Sequence, residues 1–141
     1  MIRVVIDTNV VVSANLSEEG IPASILDLAA NRKILMLVSH PILAEYEEVL
    51  HRPRLKLDPI KAGNSLAVIR NTSKTVKPKK TVSKSPDESD NRFYECAEAG
   101  KANFLITGNT RHFPQAHKGT QIVTPREFIE LIGPILISGS R

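Results

Sequence analysis

Cysteine, tryptophan and long apolar runs are what this sequence lacks. Cys96 is the single cysteine among 141 residues. No internal disulfide can form, a cysteine-based zinc site has too few ligands, and a reducing compartment suits such a chain. Aromatic residues make up 4% and Trp is absent, so the core must be built from Ile, Leu, Val and Ala. No apolar stretch approaches the roughly 18 residues of a membrane span, and no membrane association is expected. The opening run from Met1 to Asp7 is too short, and too soon interrupted, for a secretory leader. The expected location is the cytoplasm. No Gly-rich phosphate loop of the Walker or dinucleotide type is present, which argues against a nucleotide-binding α/β protein.

What is present fits one globular domain. Apolar residues make up 41% and charged residues 24%, an ordinary balance for a packed core. Nineteen basic and fifteen acidic residues leave a formal charge of +4, compatible with a polyanionic partner without requiring one. Ile2 to Ile6 is a short β-branched run that reads as a strand buried on both faces. The spacing of Ile25, Leu26, Leu28 and Ala29 predicts a helix over Pro22–Arg32. Ile34 to Val38 reads as a second strand. Ser39 and Pro41 then open a helix to about His51, which Pro53 ends. Asp58 to about Thr72 is a further helix, weakened by Gly63. Asn71 to Ser85 is a lysine-rich connection with room for a short strand near Val76 or Val82. Ser85-Pro86-Asp87-Glu88 has the composition of a helix start, for a helix running to Gly100. Asn103–Thr107 and Gln121–Val123 read as strands. Thr124 and Pro125 open a last helix ending near Gly133. The alternation argues for an α/β fold with a mainly parallel sheet. Residues 1–133 form a single domain in this reading and 134–141 a tail, disordered from Ser138.

In open α/β sheets, ligands bind beyond the carboxyl ends of the strands. Asp7, the helix carrying Glu45, and Thr107-Gly108-Asn109 all follow strands. Any one of them alone reads better as a polar residue where a strand meets water. Asp90 carries more. On a helix from Ser85 to Gly100 it falls in the apolar stripe of Phe93, Tyr94, Cys96 and Ala97, whereas Glu88 and Glu95 point the other way. A buried carboxylate must be capped by donors, neutralised by a base or bound to a metal. The first-turn position also favours an anion for purely structural reasons. Glu45 flanks one edge of its own helix's stripe and Glu47 the other, and periodicity does not choose between them. Carboxylates brought together repel unless a cation joins them. Mg²⁺ or Mn²⁺, taking oxygen ligands and phosphate, would resolve the conflict and suit phosphodiester hydrolysis.

The motifs resemble those of the PIN-domain family, and most closely its VapC-like group of toxins. Val4-Val5-Ile6-Asp7-Thr8-Asn9 is similar to the family's opening strand. Ser39-His40-Pro41-Ile42-Leu43-Ala44-Glu45-Tyr46 resembles its second block, the stretch Ser85–Ala97 around Asp90 its third, and Phe104-Leu105-Ile106-Thr107-Gly108-Asn109 its fourth. The four blocks stand in order and span most of residues 1–132. The resemblance implies a three-layer α/β/α fold and Mg²⁺- or Mn²⁺-dependent endoribonuclease activity that leaves 3′-hydroxyl and 5′-phosphate ends. It also implies a cognate antitoxin protein and a homodimer.

By the same resemblance Asp7, Glu45 and Asp90 are the metal ligands, and Asn109, through water, completes the catalytic set. Asn109 stands where many of the family have Asp, which removes a negative charge. A catalytically weak or inactive module that binds RNA or protein is the alternative. Thr8, Asn9 and Thr107 would orient carboxylates or water, and Asp87 could add a carboxylate, although by position it is an ordinary helix-start anion. Lys77, Lys79 and Lys80, with Arg111 and His112, could track RNA. Taken alone, the lysines are equally a solvated loop, and an isolated His112 beside Arg and Phe reads as structural.

Overall fold

The computed structural model describes residues 1–114 and 116–139, with no account of the side chains of 137–139. Five strands form one parallel sheet: β1 (Arg3–Ile6), β2 (Leu35–Val38), β3 (Lys74–Thr75), β4 (Phe104–Ile106) and β5 (Gln121–Val123), in the order β3-β2-β1-β4-β5. Six α-helices connect and cover it: α1 (Thr8–Leu16), α2 (Ile21–Ala30), α3 (His40–Leu50), α4 (Pro59–Thr72), α5 (Asn91–Gly100) and α6 (Pro125–Gly139). The chain moves outward from β1 to β2 and β3, then crosses back to β4. Right-handed crossovers taken in opposite directions put α5 on the face opposite the helices joining β1, β2 and β3. Accordingly α5 packs on β1, β2 and β4, while α2 packs on α1, α4 and α6. The result is the three-layer α/β/α architecture. No helix of the described residues is long and apolar enough to cross a membrane.

The core follows the composition. Val4, Val5, Ile6, Leu37, Val38, Leu105 and Ile106 are fully buried, as strands covered on both faces require. Ser39 caps α3 by accepting from Ile42 N, and Asp58 caps α4 by accepting from Ile60 N. Thr124 and Glu127 exchange hydrogen bonds in a capping box at the start of α6, the reciprocal arrangement that satisfies two orphan donors.

Four features depart from the sequence expectations. First, α1 is a helix in a stretch where no element is expected, Val10-Val11-Val12 being a β-branched run. Burial of Val10, Val11 and Ala14 against neighbouring helices outweighs that intrinsic preference. Second, the helix expected from Ser85 begins only at Asn91. Residues 88–90 form a 3₁₀ turn capped by Asp87, while Ser85 Oγ donates to the His112 carbonyl instead of capping a helix. Third, Glu95 is buried, not outward-facing: the 76–85 segment folds over it, and Val82 N donates to its Oε2 at 3.0 Å. Fourth, α6 passes Gly133 and Pro134 and continues to Gly139. Leu136 extends the buried stripe of Phe128 and Ile132 at helical spacing. Ser140 and Arg141, part of the expected disordered tail, lie outside the described residues.

Candidate metal centre

The sheet's strand order reverses at β1 and β4, and it is there that crevices open at carboxyl ends. Asp7 directly follows β1 and is 5% exposed; Thr107 directly follows β4 and is fully buried. Thr107 Oγ1 donates to Asp7 Oδ2 at 2.8 Å and accepts from Asn109 N at 3.0 Å. The backbone around Asp7 is fixed from two sides. Its N–H donates to the Ile106 carbonyl at 2.9 Å, and the buried Tyr46 hydroxyl donates to the Ile6 carbonyl. Tyr46 is a positioning residue that the sequence offered only as one more member of an apolar stripe.

The tertiary structure also distinguishes the two candidate glutamates of α3. Glu45 is half-buried and accepts from Thr8 Oγ1. Glu47 is exposed and pairs with Arg70 at 3.5 Å. Thr8 thus joins the carboxylates of neighbouring elements, giving its backbone N–H to Asp7 and its hydroxyl to Glu45. Asn9 links the two loops that border the site. Its Oδ1 accepts from Gly108 N at 3.2 Å and ties the loop after β4 to the start of α1.

Asp90 arrives from the opposite face, at the N-terminus of α5, and is 7% exposed. Its Oδ2 is shut off from solvent and accepts no hydrogen bond among the described residues. His112 Nδ1 lies 3.0 Å away without hydrogen-bond geometry. Asp87 is exposed, and its Oδ1 accepts from both Ser89 N and Ser89 Oγ. Buried Asn91, next to Asp90, accepts from Lys84 N at 2.9 Å and from Ser85 N at 2.8 Å. This clamp holds the loop leading into the site, and nothing in the sequence periodicity marks it.

The carboxylates feel one another. Burial raises the pKa of Asp7 above its ordinary value. The hydrogen bonds from Thr107 and Thr8 oppose that rise, Glu45 adds to it, and His112 reduces it. Asp90 is pushed up to about 6, first by burial, then by Asp7 and Asp87; His112 pulls it down and Glu45 adds slightly. Burial and like-charge proximity are the two influences a cation would relieve. The residues present fit such an ion: a buried carboxylate oxygen without a hydrogen-bond partner lies near other carboxylates that raise its pKa. Among the described residues, Asp87, Asp90 and His112 form a group whose ligand atoms all lie within 4.8 Å of one another. Neither Asp7 nor Glu45 belongs to a group that tight, so a shared ion would reach them through water or a small side-chain adjustment. Mg²⁺ and Mn²⁺ commonly keep several waters.

The remaining expected residues divide between two places. Arg111 and His112 stand on the 3₁₀ turn after β4, and His112 lies beside Asp90. Asn109 Oδ1 accepts from Arg111 N at 3.2 Å, so its carbonyl caps that turn. Lys77, Lys79 and Lys80 instead join Lys101 and Lys118 around a cleft of about 660 Å³, with Glu95, Glu98 and Ala99. Glu98, beside this cleft, is eight residues beyond Asp90 along α5, or about 12 Å at the helical rise.

Comparison with known proteins agrees with this architecture. A family model described as the PIN domain matches residues 3–111. The uncharacterized protein MJ1680 of Methanocaldococcus jannaschii is 33% identical over 147 aligned positions, covering 92% of this chain and 90% of that protein. VapBC2 from Rickettsia felis, solved bound to a DNA fragment from their promoter, superposes with a TM-score of 0.57 at 15% identity. That match covers 87% of this chain and 98% of the other. At that identity the likeness speaks for the fold, whereas the family match extends over most of the sequence and includes Asp7, Glu45, Asp90 and Thr107. The chain belongs to the PIN-domain family.

Proposed function

We propose that this protein is a divalent-metal-dependent endoribonuclease, the toxin of a toxin–antitoxin pair, working in the cytoplasm. The observation that carries the reading is Asp90 Oδ2, buried without a hydrogen-bond partner among the described residues, with Asp7 and Glu45 near enough to raise the Asp90 pKa. Membership of the PIN-domain family supports a nuclease. The likeness to VapBC2 supports an antitoxin partner, and a homodimer is part of the same reading.

Asp7, Glu45 and Asp90 would hold Mg²⁺ or Mn²⁺, which when bound supplies an activated water and balances the charge that develops on a phosphodiester. Thr107 and Thr8 orient two of the carboxylates, Asp7 and Glu45, by donating to them. Asn109 serves as a neutral member of the site, holding the turn that carries Arg111 and His112. Arg111, on that turn, would contact RNA phosphate next to the site. Lys77, Lys79 and Lys80 bind backbone phosphates farther along the strand, consistent with their cleft at the far end of α5.

The test is cleavage of single-stranded RNA by metal-free protein supplied with Mn²⁺ or Mg²⁺, beside a DNA flap of matched sequence. Metal-dependent RNA cleavage that Asp7→Asn or Asp90→Asn abolishes is the expected result. Cleavage of the flap alone would make it a DNA nuclease. One observation favours a second reading: Asn109 brings no negative charge and directs its carbonyl at Arg111 N. A binding module would hold RNA or a protein equally well with and without metal, and cut nothing.

A further inference from the structure

We infer that His112 is a direct ligand of the cation bound at Asp90, which makes the centre a mixed nitrogen–oxygen site favouring transition-metal ions such as Mn²⁺ or Co²⁺ over Mg²⁺. The inference rests on the metal-dependent reading above and gives it a metal preference.

Two independent observations meet here. One is the convergence of Asp87, Asp90 and His112, whose ligand atoms all lie within 4.8 Å of one another. The other is Asp90 Oδ2, an oxygen shut off from solvent that accepts no hydrogen bond although an imidazole nitrogen lies 3.0 Å away. A histidine serving only as a counter-ion would aim an N–H at that oxygen. Here the 3.0 Å approach lacks hydrogen-bond geometry, and an imidazole carrying its proton on Nε2 would offer the Nδ1 lone pair to an ion shared with Asp90. Adjacent ligands of an octahedral ion bound at about 2.1 Å are separated by about 3.0 Å. The Asp90 Oδ2–His112 Nδ1 distance is that of two neighbouring ligands.

The surroundings hold this arrangement. Ser85 Oγ donates to the His112 carbonyl at 2.5 Å, and His112 N donates to the Asn109 carbonyl at 3.1 Å. The backbone bearing the imidazole is therefore tied both to the loop before Asp90 and to its own turn. Ser89 occupies Asp87 Oδ1 and orients that carboxylate, while its second oxygen accepts nothing among the described residues. Mg²⁺ prefers oxygen ligands throughout, whereas imidazole nitrogen raises affinity along the first transition row. His112 thus both adds a ligand and biases the choice of ion.

The experiment is pulsed electron paramagnetic resonance of Mn²⁺ bound to the untagged full chain, with competitive Mn²⁺ and Mg²⁺ titration by calorimetry. Wild-type protein should show ¹⁴N coupling on bound Mn²⁺. His112→Asp, an all-oxygen replacement, should still bind metal, lose the coupling and lower the Mn²⁺/Mg²⁺ affinity ratio at least tenfold. Mn²⁺ bound without ¹⁴N coupling, an unchanged ratio in His112→Asp, or no Mn²⁺ binding would overturn the inference. The wild-type spectrum decides it even if the variant misfolds. RNA cleavage is scored separately: cleavage without ¹⁴N coupling sinks the histidine ligand and keeps the nuclease, and coupling without cleavage does the reverse.

Discussion

Thr107, at the end of β4, gives its hydroxyl hydrogen to Asp7, at the end of β1, across 2.8 Å and one hundred residues of sequence. Parallel pairing of Ile6 with Ile106 sets the two side chains together. The bond is one of two hydrogen bonds that oppose the effect of burial on Asp7, so it favours the ionised carboxylate and aims it.

Thr107→Val keeps the volume and removes the donor. Burial of Asp7 then goes less opposed and its proton is held more tightly. Mn²⁺ affinity at neutral pH should fall about tenfold, the usual effect of removing an orienting partner, with the melting temperature changed little. Calorimetric titration checks this, and unchanged affinity would show that Thr107 orients nothing.

Asp90 makes stability depend on pH in a known direction. Its proton is held up to about pH 6 in the folded state, against an ordinary 3.8. A raised carboxyl pKa contributes stability that is complete below the unfolded value and disappears as pH rises through the folded one. In metal-free protein, Asp90→Asn should therefore be more stable than wild type at pH 7.5 by about 2 kcal/mol. The gap should close towards pH 4. Urea unfolding of both proteins at the two pH values measures it, and a gap independent of pH would refute the assignment. Added Mn²⁺ should reverse the order at pH 7.5, because only wild type offers the charged ligand.

Tyr46→Phe leaves the buried Ile6 carbonyl without the phenolic donor. A loss of about 1–2 kcal/mol is expected, together with weaker metal binding because the carbonyl directly precedes Asp7. A stability loss with metal affinity untouched would show that the bond is structural only.

Gly100→Ala should destabilise although Ala is the better helix former. An added Cβ would come within 2.5 Å of Leu37 Cδ1, on a side chain that is fully buried. The expected cost is about 1–3 kcal/mol. Gly63→Ala, where nothing lies within 4 Å, should be neutral or stabilising. Equal effects at the two sites would contradict the packing described.

Much of the fold was legible because its signals are local. A short β-branched run marks a buried strand; Ser39, Asp58 and Thr124 mark helix starts by their capping chemistry. The misreadings came where a local signal met a tertiary contact. Val10-Val11-Val12, a β-branched run to which the sequence assigns no element, packs as helix. Ser85 has the look of a cap, yet bonds to a carbonyl twenty-seven residues away. Glu95 is polar at the right spacing to face water, but an irregular segment folds over it. Asp90 was recognised as buried through a helix that does not extend to it; its burial comes from the turn before α5.

By itself the sequence determined the parallel α/β architecture and the identity of the acidic residues following its strands, because strand burial, caps and strand-end polarity are written in consecutive residues. Periodicity left Glu45 and Glu47 level and the family motif picked Glu45; only the tertiary structure gave Glu45 its Thr8 partner, moved Lys77, Lys79 and Lys80 to a cleft at the far end of α5, and set His112 beside Asp90. Those choices depend on which elements cross at the sheet's switch point, and chain topology, not local spacing, decides what meets there.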